Sequence, residues 1–374
     1  MISNQSGCNY PIQRRSNNIN RLIIIGNGFD LAHGYKTRYS DFFFDFFLSM
    51  FEDLIDTNKY DDELIKVRVL QNIRDRHFEI PKNFNHAIKL INDLKRNNSV
   101  EVQIKSPILR LLFDRNSTEN KWVDLENDYY QLLKTFLKKN ENDLVNKLNS
   151  DLDYITRKLE VYLTNQTEKT ERFSGNYLVN DFYEDVKGNE IVSNEITENK
   201  KPSAVHILNF NYTDIVLKYS DSKNRIENVE YNFIHGELNK PENPIIFGFG
   251  DELDDDYTVL EKTNDNNYFR HIKSFKYFKT RNYHNLLRFI ESDKFQVYIY
   301  GHSCGLSDRT MLNQIFEHEN CISIKIFYHI REDGTNDYVE KTHEISRHFK
   351  DKASMRRKLI PEELSYPMPK PRKL

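Results

Sequence analysis

The sequence has 374 residues, of which 38% are hydrophobic and 13% aromatic, and its formal net charge at pH 7 is −3. This size and apolar content suffice for one large or two modest domains, whereas the charge gives no overall attraction to nucleic acid. No apolar stretch reaches the roughly 18 residues that span a bilayer, the polar N-terminus lacks a signal-peptide core, and three widely separated cysteines form neither a disulfide framework nor a zinc site. We therefore expect a cytoplasmic protein with reduced thiols.

The first predicted element is a strand followed by a glycine turn. Leu22–Ile25 form an aliphatic run that is typical of a buried parallel strand. Gly26 and Gly28 then allow a sharp turn that brings main-chain N–H groups close to an anion, at the start of a helix carrying Asp30. A dinucleotide fingerprint needs a third glycine where this sequence has Leu31. The pattern predicts a phosphate site, with an ordinary tight turn as the alternative.

Residues 39–170 are predicted to be mainly helical. Apolar side chains recur at i, i+3 and i+4 around Phe42–Phe47 and again from Trp122 to Phe136. Charged, glycine-poor stretches between them favour long amphipathic helices. The polar segment 171–202 predicts a loop or a small hairpin that returns the chain to the sheet.

From residue 203 the pattern changes to short strands, each ending at glycine or a polar residue. The predicted strands are Ala204–Leu208, Val229–Ile234, Pro244–Phe247, Gln296–Tyr300 and Ile322–Tyr328. We therefore predict an α/β fold, with a Rossmann-like, mostly parallel sheet and a large helical insertion. The predicted division is a disordered N-terminus (1–19), a Rossmann-like domain (20–38 and 203–350), a mainly helical insertion (39–202) and a flexible basic tail (351–374).

Polar side chains follow four of these strands. Asn211 and Asp214 follow the first, His235 the second, Asp251 the third, and the segment Gly301–Asp308 the fourth. In an open α/β sheet, ligands bind just beyond the carboxyl ends of the strands. We therefore predict that these residues share one pocket.

The residue types in this pocket fit a nucleotide. The amides of Gly26–Gly28 would bind a pyrophosphate, and Ser303 and Asp308 would hydrogen-bond an adenosine ribose. Asn211 and His235 would then lie at the reactive end, where the imidazole would accept a proton from water near neutral pH. Each of these two residues also has a purely structural interpretation, since Asn commonly caps a helix or turn and a histidine before glycine is commonly an ordinary loop residue.

Two other chemistries remain open from the residues alone. Gly301–Gly305 matches the Gly-x-Ser-x-Gly nucleophile elbow of serine hydrolases, for which Asp337 with His343 or His348 would have to complete a triad. The acidic run Asp251–Asp256 would suit a metal-dependent nuclease if it bound magnesium. A run of adjacent carboxylates is more often a solvated loop, and we assign no metal ligand.

Several motifs in order resemble the AbiH-type bacteriophage abortive-infection proteins. The resemblance covers roughly residues 21–350, and motifs that agree in order are more specific than any single one. It begins with the signature Ile24–Gly34 and residues 37–42, and continues with Trp122–Glu126, Leu208–Asp214, Ile234–Gly236, Ile246–Glu252 and Tyr300–Asp308. The resemblance implies a role in antiphage defence. It fixes no reaction, because one fold supports many functions.

The same order of motifs is similar to SIR2-like domains, which bind NAD in a Rossmann-like fold. The resemblance matches Gly26 and Gly28 to the pyrophosphate loop, Asn211 to the asparagine near the ribose, His235 to the catalytic base, and Gly301–Ser303 to the adenosine contacts.

Two departures from the SIR2-like pattern affect how a cofactor would be oriented. Thr213 is an insertion that gives Asn-Tyr-Thr-Asp, and residues 27–30 replace small Ala and Ser residues. The cysteine pairs of the zinc-binding deacetylases are missing, which favours NAD cleavage over protein deacylation.

These resemblances imply a defence protein that hydrolyses NAD, its substrate, to nicotinamide and ADP-ribose on infection. The predicted catalytic residues are His235 and Asn211. The predicted nucleotide contacts are Gly26, Asn27, Gly28, Phe29, Asp30, Asp214, Gly301, His302, Ser303 and Asp308. We expect a homo-oligomer controlled by assembly, a phage-derived trigger or a defence partner, with neither membrane nor nucleic acid as a ligand. The alternative function is a non-catalytic module that senses a nucleotide.

Overall fold

The computed structural model describes residues 18–70, 79–115, 124–168, 173–174, 181–192, 198–219, 228–368 and 372–373. The strands are β1 (Ile19–Ile25), β2 (Lys59–Asp61), β3 (Ile65–Val69), β4 (Val100–Ile104), β5 (Phe173–Ser174), β6 (Val205–Asn209), β7 (Val229–Phe233), β8 (Lys294–Tyr300), β9 (Cys321–Tyr328), β10 (Tyr366–Pro367) and β11 (Arg372–Lys373). The α-helices are α1 (Asn27–Ala32), α2 (Tyr39–Thr57), α3 (Phe84–Arg96), α4 (Pro107–Arg115), α5 (Leu125–Lys139), α6 (Asn142–Glu168), α7 (Tyr257–Lys262), α8 (Lys273–Lys276), α9 (Asn282–Ser292), α10 (Arg309–Glu317), α11 (Tyr338–Ser346) and α12 (Lys352–Lys358).

A parallel sheet of six strands carries the fold. Its spatial order is β7-β6-β1-β8-β9-β10, and every neighbouring pair is parallel. Counted along the chain within this sheet, the order is 3-2-1-4-5-6, which is the strand order of the Rossmann fold. The strands β6 and β7 lie on one side of β1, and β8, β9 and β10 lie on the other side. The strand order therefore reverses between β1 and β8, and a crevice forms between their ends. The predicted Rossmann-like, mostly parallel sheet is confirmed.

The central strand shows why its sequence is apolar throughout. Leu22 and Ile24 pack in one core cluster, whereas Ile23 and Ile25 pack in another. Successive side chains of a strand point to opposite faces, and both faces of β1 are covered by other elements. A strand in this position has no solvent-facing side that would take polar residues.

The described residues between 39 and 168 form the helical unit, which lies in the connection between β1 and β6. Its core is rich in aromatic side chains, beginning with the buried Phe42, Phe43, Phe46 and Phe47 of α2. The helices are interrupted by an antiparallel sheet of β2, β3 and β4 that the sequence analysis did not predict. β3 alternates buried Ile65 and Val67 with exposed Lys66 and Arg68, which is the period of a strand. This signal covers only five residues and was missed because the longer segments around it repeat at helical spacing.

Two further predictions about chain segments need correction. The apolar run Pro244–Phe247 is not a strand; it is a loop in which Ile246 and Phe247 are buried, held by a hydrogen bond from the Ile246 N–H to the His235 carbonyl (2.8 Å). The predicted flexible tail is folded through Met368, because α12 packs on β9 and β10 joins the sheet beside it. In the segment 171–202, for which a loop or a small hairpin was predicted, an antiparallel bridge pairs Val186 with Lys200.

A few smaller observations complete the fold. Of the segment predicted to be disordered, residues 1–17 lie outside the described part, and β1 already begins at Ile19. Cys304 and Cys321 are buried free thiols, while Cys8 lies outside the described residues. Among the described helices, none is long and apolar enough to cross a membrane.

Candidate functional site

A cavity of about 250 Å³ lies at the crevice between β1 and β8. The sheet supplies its floor from the turns after β1, β6, β7 and β8, and the helical unit supplies a wall with Tyr39, Leu159 and Leu163. Its lining contains the carboxyl groups of Asp30, Asp124, Glu126 and Asp308, but a single lysine, Lys341. The pocket therefore favours a ligand with positive charge or hydroxyl groups over one whose bound part is strongly anionic.

A second cavity, of about 500 Å³, is lined by residues 33–36 and by side chains of α2 and α6. It contains none of the predicted site residues. The polar residues that follow the strand ends therefore lie at the first cavity.

The two glycine turns contact each other directly. The Gly26 N–H donates to the Tyr300 carbonyl (3.0 Å) and the Gly28 N–H to the Gly301 carbonyl (2.8 Å). A Cβ at Gly26 would lie only 2.4 Å from His302 Cα. Both amides expected to bind a pyrophosphate are thus already used within the protein. These glycines are needed for the close approach of two loops, which differs from the predicted role of an anion cradle.

This close approach gives a first testable prediction. Gly26→Ala should lower the free energy of unfolding by about 1–3 kcal/mol or more, because the new methyl group meets main chain that cannot move away. Gly305→Ala is the matched control: Gly305 has an ordinary φ of −70°, and a Cβ there would lie 3.6 Å from its nearest neighbour. Urea denaturation of both variants measures the difference, and equal stabilities would contradict the packing argument.

Asp30 is buried at the floor of the pocket. Its Oδ1 accepts a hydrogen bond from Asn211 Nδ2 (2.8 Å), and its Oδ2 accepts one from Thr213 Oγ1 (2.6 Å). Burial raises the pKa of Asp30 to about 7, against the lowering effect of these two bonds. Asn211 Nδ2 also donates to the Gly26 carbonyl (3.0 Å), so it connects the ends of β1 and β6. The inserted Thr213 therefore has a function in the site as a donor to Asp30.

His235 lies between an acid and a phenol. Its Nε2 is 3.2 Å from Asp308 Oδ1 and 3.1 Å from the Tyr277 hydroxyl, and the ring also hydrogen-bonds to the main chain of Phe210. Burial, followed by the Lys273 charge, lowers the pKa of His235. When neutral, Nε2 accepts from the tyrosine hydroxyl; when protonated, it donates to the Asp308 carboxylate. The imidazole can therefore take up a proton with a partner in either state.

A lysine that the sequence analysis did not identify neutralises Asp308. Lys273 Nζ donates to Asp308 Oδ1 (2.8 Å) and to Glu126 Oε2 (2.9 Å), and its side chain has no exposed surface. These contacts hold the pKa of Asp308 well below its usual value despite burial. Burial raises the pKa of Glu126 to about 7. Glu126 lies in the first turn of α5, so this cluster joins the helical unit to the sheet.

His302 is a second buried imidazole, but it is not placed as a base. Its Nδ1 accepts a hydrogen bond from the Cys304 N–H (3.0 Å), which leaves the proton of the neutral ring on Nε2, 3.7 Å from Asp308 Oδ2. Burial lowers the pKa of His302 to about 3. The Phe210 ring lies between the two imidazoles, 4.3 Å from His302 and 5.0 Å from His235.

The sequence model of the family Bacteriophage abortive infection AbiH matches residues 22–330, which is most of the chain and includes the pocket residues described above except Lys341. The chain belongs to the AbiH family. Its role is therefore antiphage defence by abortive infection. No curated protein matches this AbiH chain.

Most of the predicted site residues of this AbiH protein line the cavity. They are Gly26, Asn27, Gly28, Asp30, Asn211, His235, Gly301, His302, Ser303 and Asp308. Two do not. Phe29 is 1% exposed and packs in the hydrophobic core. The Asp214 side chain is exposed just before the 3-10 helix Ile215–Tyr219. The local turns direct these two side chains away from the pocket, and the spacing of the residues in the sequence did not show this.

The serine-hydrolase geometry is not formed in the AbiH chain. The residue with the left-handed conformation of a nucleophile elbow is Cys304 (φ 55°) and not Ser303. Within the described part of the chain no imidazole hydrogen-bonds to the Ser303 hydroxyl: His348 binds the Cys304 carbonyl (2.7 Å), and His343 is exposed.

The acidic run is also explained by structure. Lys134 of α5 binds Asp254 (3.0 Å) and Asp256 (3.3 Å), and Arg309 binds Asp251 (3.2 Å). No group of three or more metal-ligating side chains occurs among the residues that the structure describes. Asp254 and Asp256 thus connect the loop after β7 to the helical unit, and Asp251 connects it to α10.

Proposed function

We propose that this AbiH protein hydrolyses the N-glycosidic bond of NAD, giving nicotinamide and ADP-ribose. The observation that carries the proposal is the pairing of His235 with Asp308 in an acidic pocket at the Rossmann crevice. Breaking a glycosidic bond creates positive charge on the ribose in an oxocarbenium-like state. Carboxylates fixed around that position stabilise this charge without reorganising.

The acidic lining fits one end of NAD better than the other. The nicotinamide ring is cationic and the adjacent ribose carries hydroxyl groups, so both suit a pocket lined by the carboxyl groups of Asp124 and Asp308. The pyrophosphate does not, and the amides of Gly26 and Gly28 are already donated to carbonyl groups. Ligand cavities in proteins commonly measure roughly 300–1,000 Å³, so a cavity of about 250 Å³ takes part of the dinucleotide and leaves the remainder at the opening.

The proposed step balances as follows. A water oxygen bonds to the ribose C1′ as the bond from C1′ to the nicotinamide nitrogen breaks, and the electron pair of that bond neutralises the ring. His235 Nε2 accepts the water proton. The resulting imidazolium donates a hydrogen bond to the Asp308 carboxylate. Asn211, fixed on Asp30 and on the Gly26 carbonyl, orients the ribose or the water.

The test measures NAD and its products with the full-length protein. Cells that express the chain should lose NAD and accumulate nicotinamide during phage challenge, and the purified chain should convert NAD to ADP-ribose, alone or with lysate from infected cells. Chromatography detects both products. An unchanged NAD pool during effective defence would overturn the proposal.

A second candidate function is nucleotide sensing. It is favoured by the hydrogen bonds of His235, because the ring already has partners in Tyr277 and the main chain of Phe210. Calorimetry that finds NAD binding with no turnover, even in lysate from infected cells, would support sensing over catalysis.

A further inference from the structure

A buried cluster of charges links the helical unit to the sheet beside the pocket. Lys273 Nζ lies 2.9 Å from Glu126 Oε2 and 2.8 Å from Asp308 Oδ1, and Asp308 Oδ1 lies 3.2 Å from His235 Nε2. The exposed fractions of the side chains are 0% for Lys273, 9% for Glu126 and 8% for Asp308. One ammonium group thus stands between two carboxylates, nearly sealed from solvent.

Such a cluster retains a proton. If Lys273, Glu126 and Asp308 were all ionised, one positive charge would face two negative charges, and burying an uncompensated charge is unfavourable. Asp308 is the group least able to take the proton, because Lys273 and His235 both stabilise its carboxylate. Glu126 and His235 are the two positions that remain.

Resting on the proposed function, we propose that Glu126 and His235 share one proton across the Lys273–Asp308 pair, and that Lys273 is a positioning residue that sets how readily His235 accepts a proton from water. Sites that interact this strongly titrate together, as a group. The pKa of Glu126, raised to about 7 by burial, lies where exchange of the proton with a histidine is possible. The cluster would also make catalysis depend on contact between the helical unit and the sheet.

Three phenols and one imidazole beside the cluster keep their charge state over the range of interest. The phenols of Tyr39, Tyr212 and Tyr277 have pKa values raised well above 10 by burial, and the pKa of His302 is lowered to about 3. Asp124 faces Glu126 from the N-cap of α5. Burial lowers the pKa of Lys276 to about 8, and a titration that ends at about pH 7 leaves this lysine charged.

The test is an NMR titration of the full chain with ¹⁵N-labelled histidine, in which the His235 signals are assigned by their loss in His235→Asn. Lys273→Met should raise the pKa of His235 by about one pH unit or more, because the imidazolium becomes the counterion of Asp308. Glu126→Gln should lower it, because the amide removes a negative charge from the cluster. Lys134→Met is the control: it removes a lysine from the same junction that binds Asp254 and Asp256, and should leave His235 unchanged.

Opposite shifts of the His235 pKa in the two variants distinguish this role from loosening of the fold. Loosening would move the His235 pKa of both variants toward the ordinary histidine value of about 6.5. Glu126→Gln is nearly isosteric and carries the test if Lys273→Met does not fold. The acidic limb of the kcat profile should shift in the same directions, with KM little changed. An unchanged His235 pKa in folded Lys273→Met or Glu126→Gln overturns the proposal. Both shifts without any NAD hydrolysis would support proton sharing and overturn only the proposed function.

Discussion

Replacing His235 with asparagine is expected to slow the proposed NAD hydrolysis by about 100- to 10,000-fold, the usual contribution of a positioned general base. The buried imidazole is the group whose Nε2 faces both a carboxylate and a phenol, so it can hold a proton that water gives up. Asparagine fills most of the same space and keeps a polar group near Tyr277, but it cannot accept a proton. The measurement is kcat from the release of nicotinamide.

Two controls sharpen this prediction. His284→Asn changes an exposed histidine of α9 and should leave kcat unchanged. Because burial and Lys273 lower the pKa of His235, kcat should fall at a pH below the ordinary histidine value of about 6.5. A kcat within about threefold of wild type in His235→Asn would remove the imidazole from the reaction.

Replacing Asp30 with asparagine is expected to flatten the dependence of stability on pH. The pKa of Asp30 is raised from 3.8 to about 7, so the folded chain holds a proton that the unfolded chain releases. This contribution is fully present below about pH 3.8 and is lost as the pH rises through 7. The wild type should therefore lose on the order of 2–4 kcal/mol between pH 4 and pH 8 through this group. The asparagine side chain imitates the protonated acid, so the Asp30→Asn variant should lose much less.

Urea denaturation at pH 5 and pH 8 measures the effect. Burial raises the pKa of Glu126 in the same direction, so the informative quantity is the difference between the variant and the wild type. Asp56→Asn, which changes an exposed acid in the last turn of α2, should keep the wild-type dependence. If Asp30→Asn loses as much stability as the wild type, Asp30 is ionised throughout this range and does not hold a proton at neutral pH.

The centre of the sheet and the location of the site could be predicted because both depend on local pattern. The apolar runs of β1 and β8 reflect burial on two faces, and the polar residues that follow parallel strands necessarily meet at one edge. Asn211, His235 and Asp308 were found in this way. Pro244–Phe247 shows the limit of the same argument, because an apolar run indicates burial and does not distinguish a strand from a buried loop.

Lys273 could not be predicted from the sequence. Its partners are 147 and 35 residues away, and charge pairing over such separations leaves no periodic signal along the chain. Glu126 lies in a motif that resembles the family, but the motif gives no role for the carboxylate. The structural function of Gly26 was likewise hidden, because the same Gly-x-Gly spacing serves an anion cradle or the close contact of two turns.

The contact between the two glycine turns also affects when the site can form during synthesis. Gly26 is translated early, yet its hydrogen-bond partner Tyr300 and its close neighbour His302 are translated after the whole helical unit. Domains begin to fold while the chain is still being made, so the helical unit can fold before the crevice exists. An incomplete chain that ends before β8 has Asp30 and Asn211 but neither the second turn nor Asp308. Under the proposed function, such an incomplete chain would therefore be inactive while it is still on the ribosome.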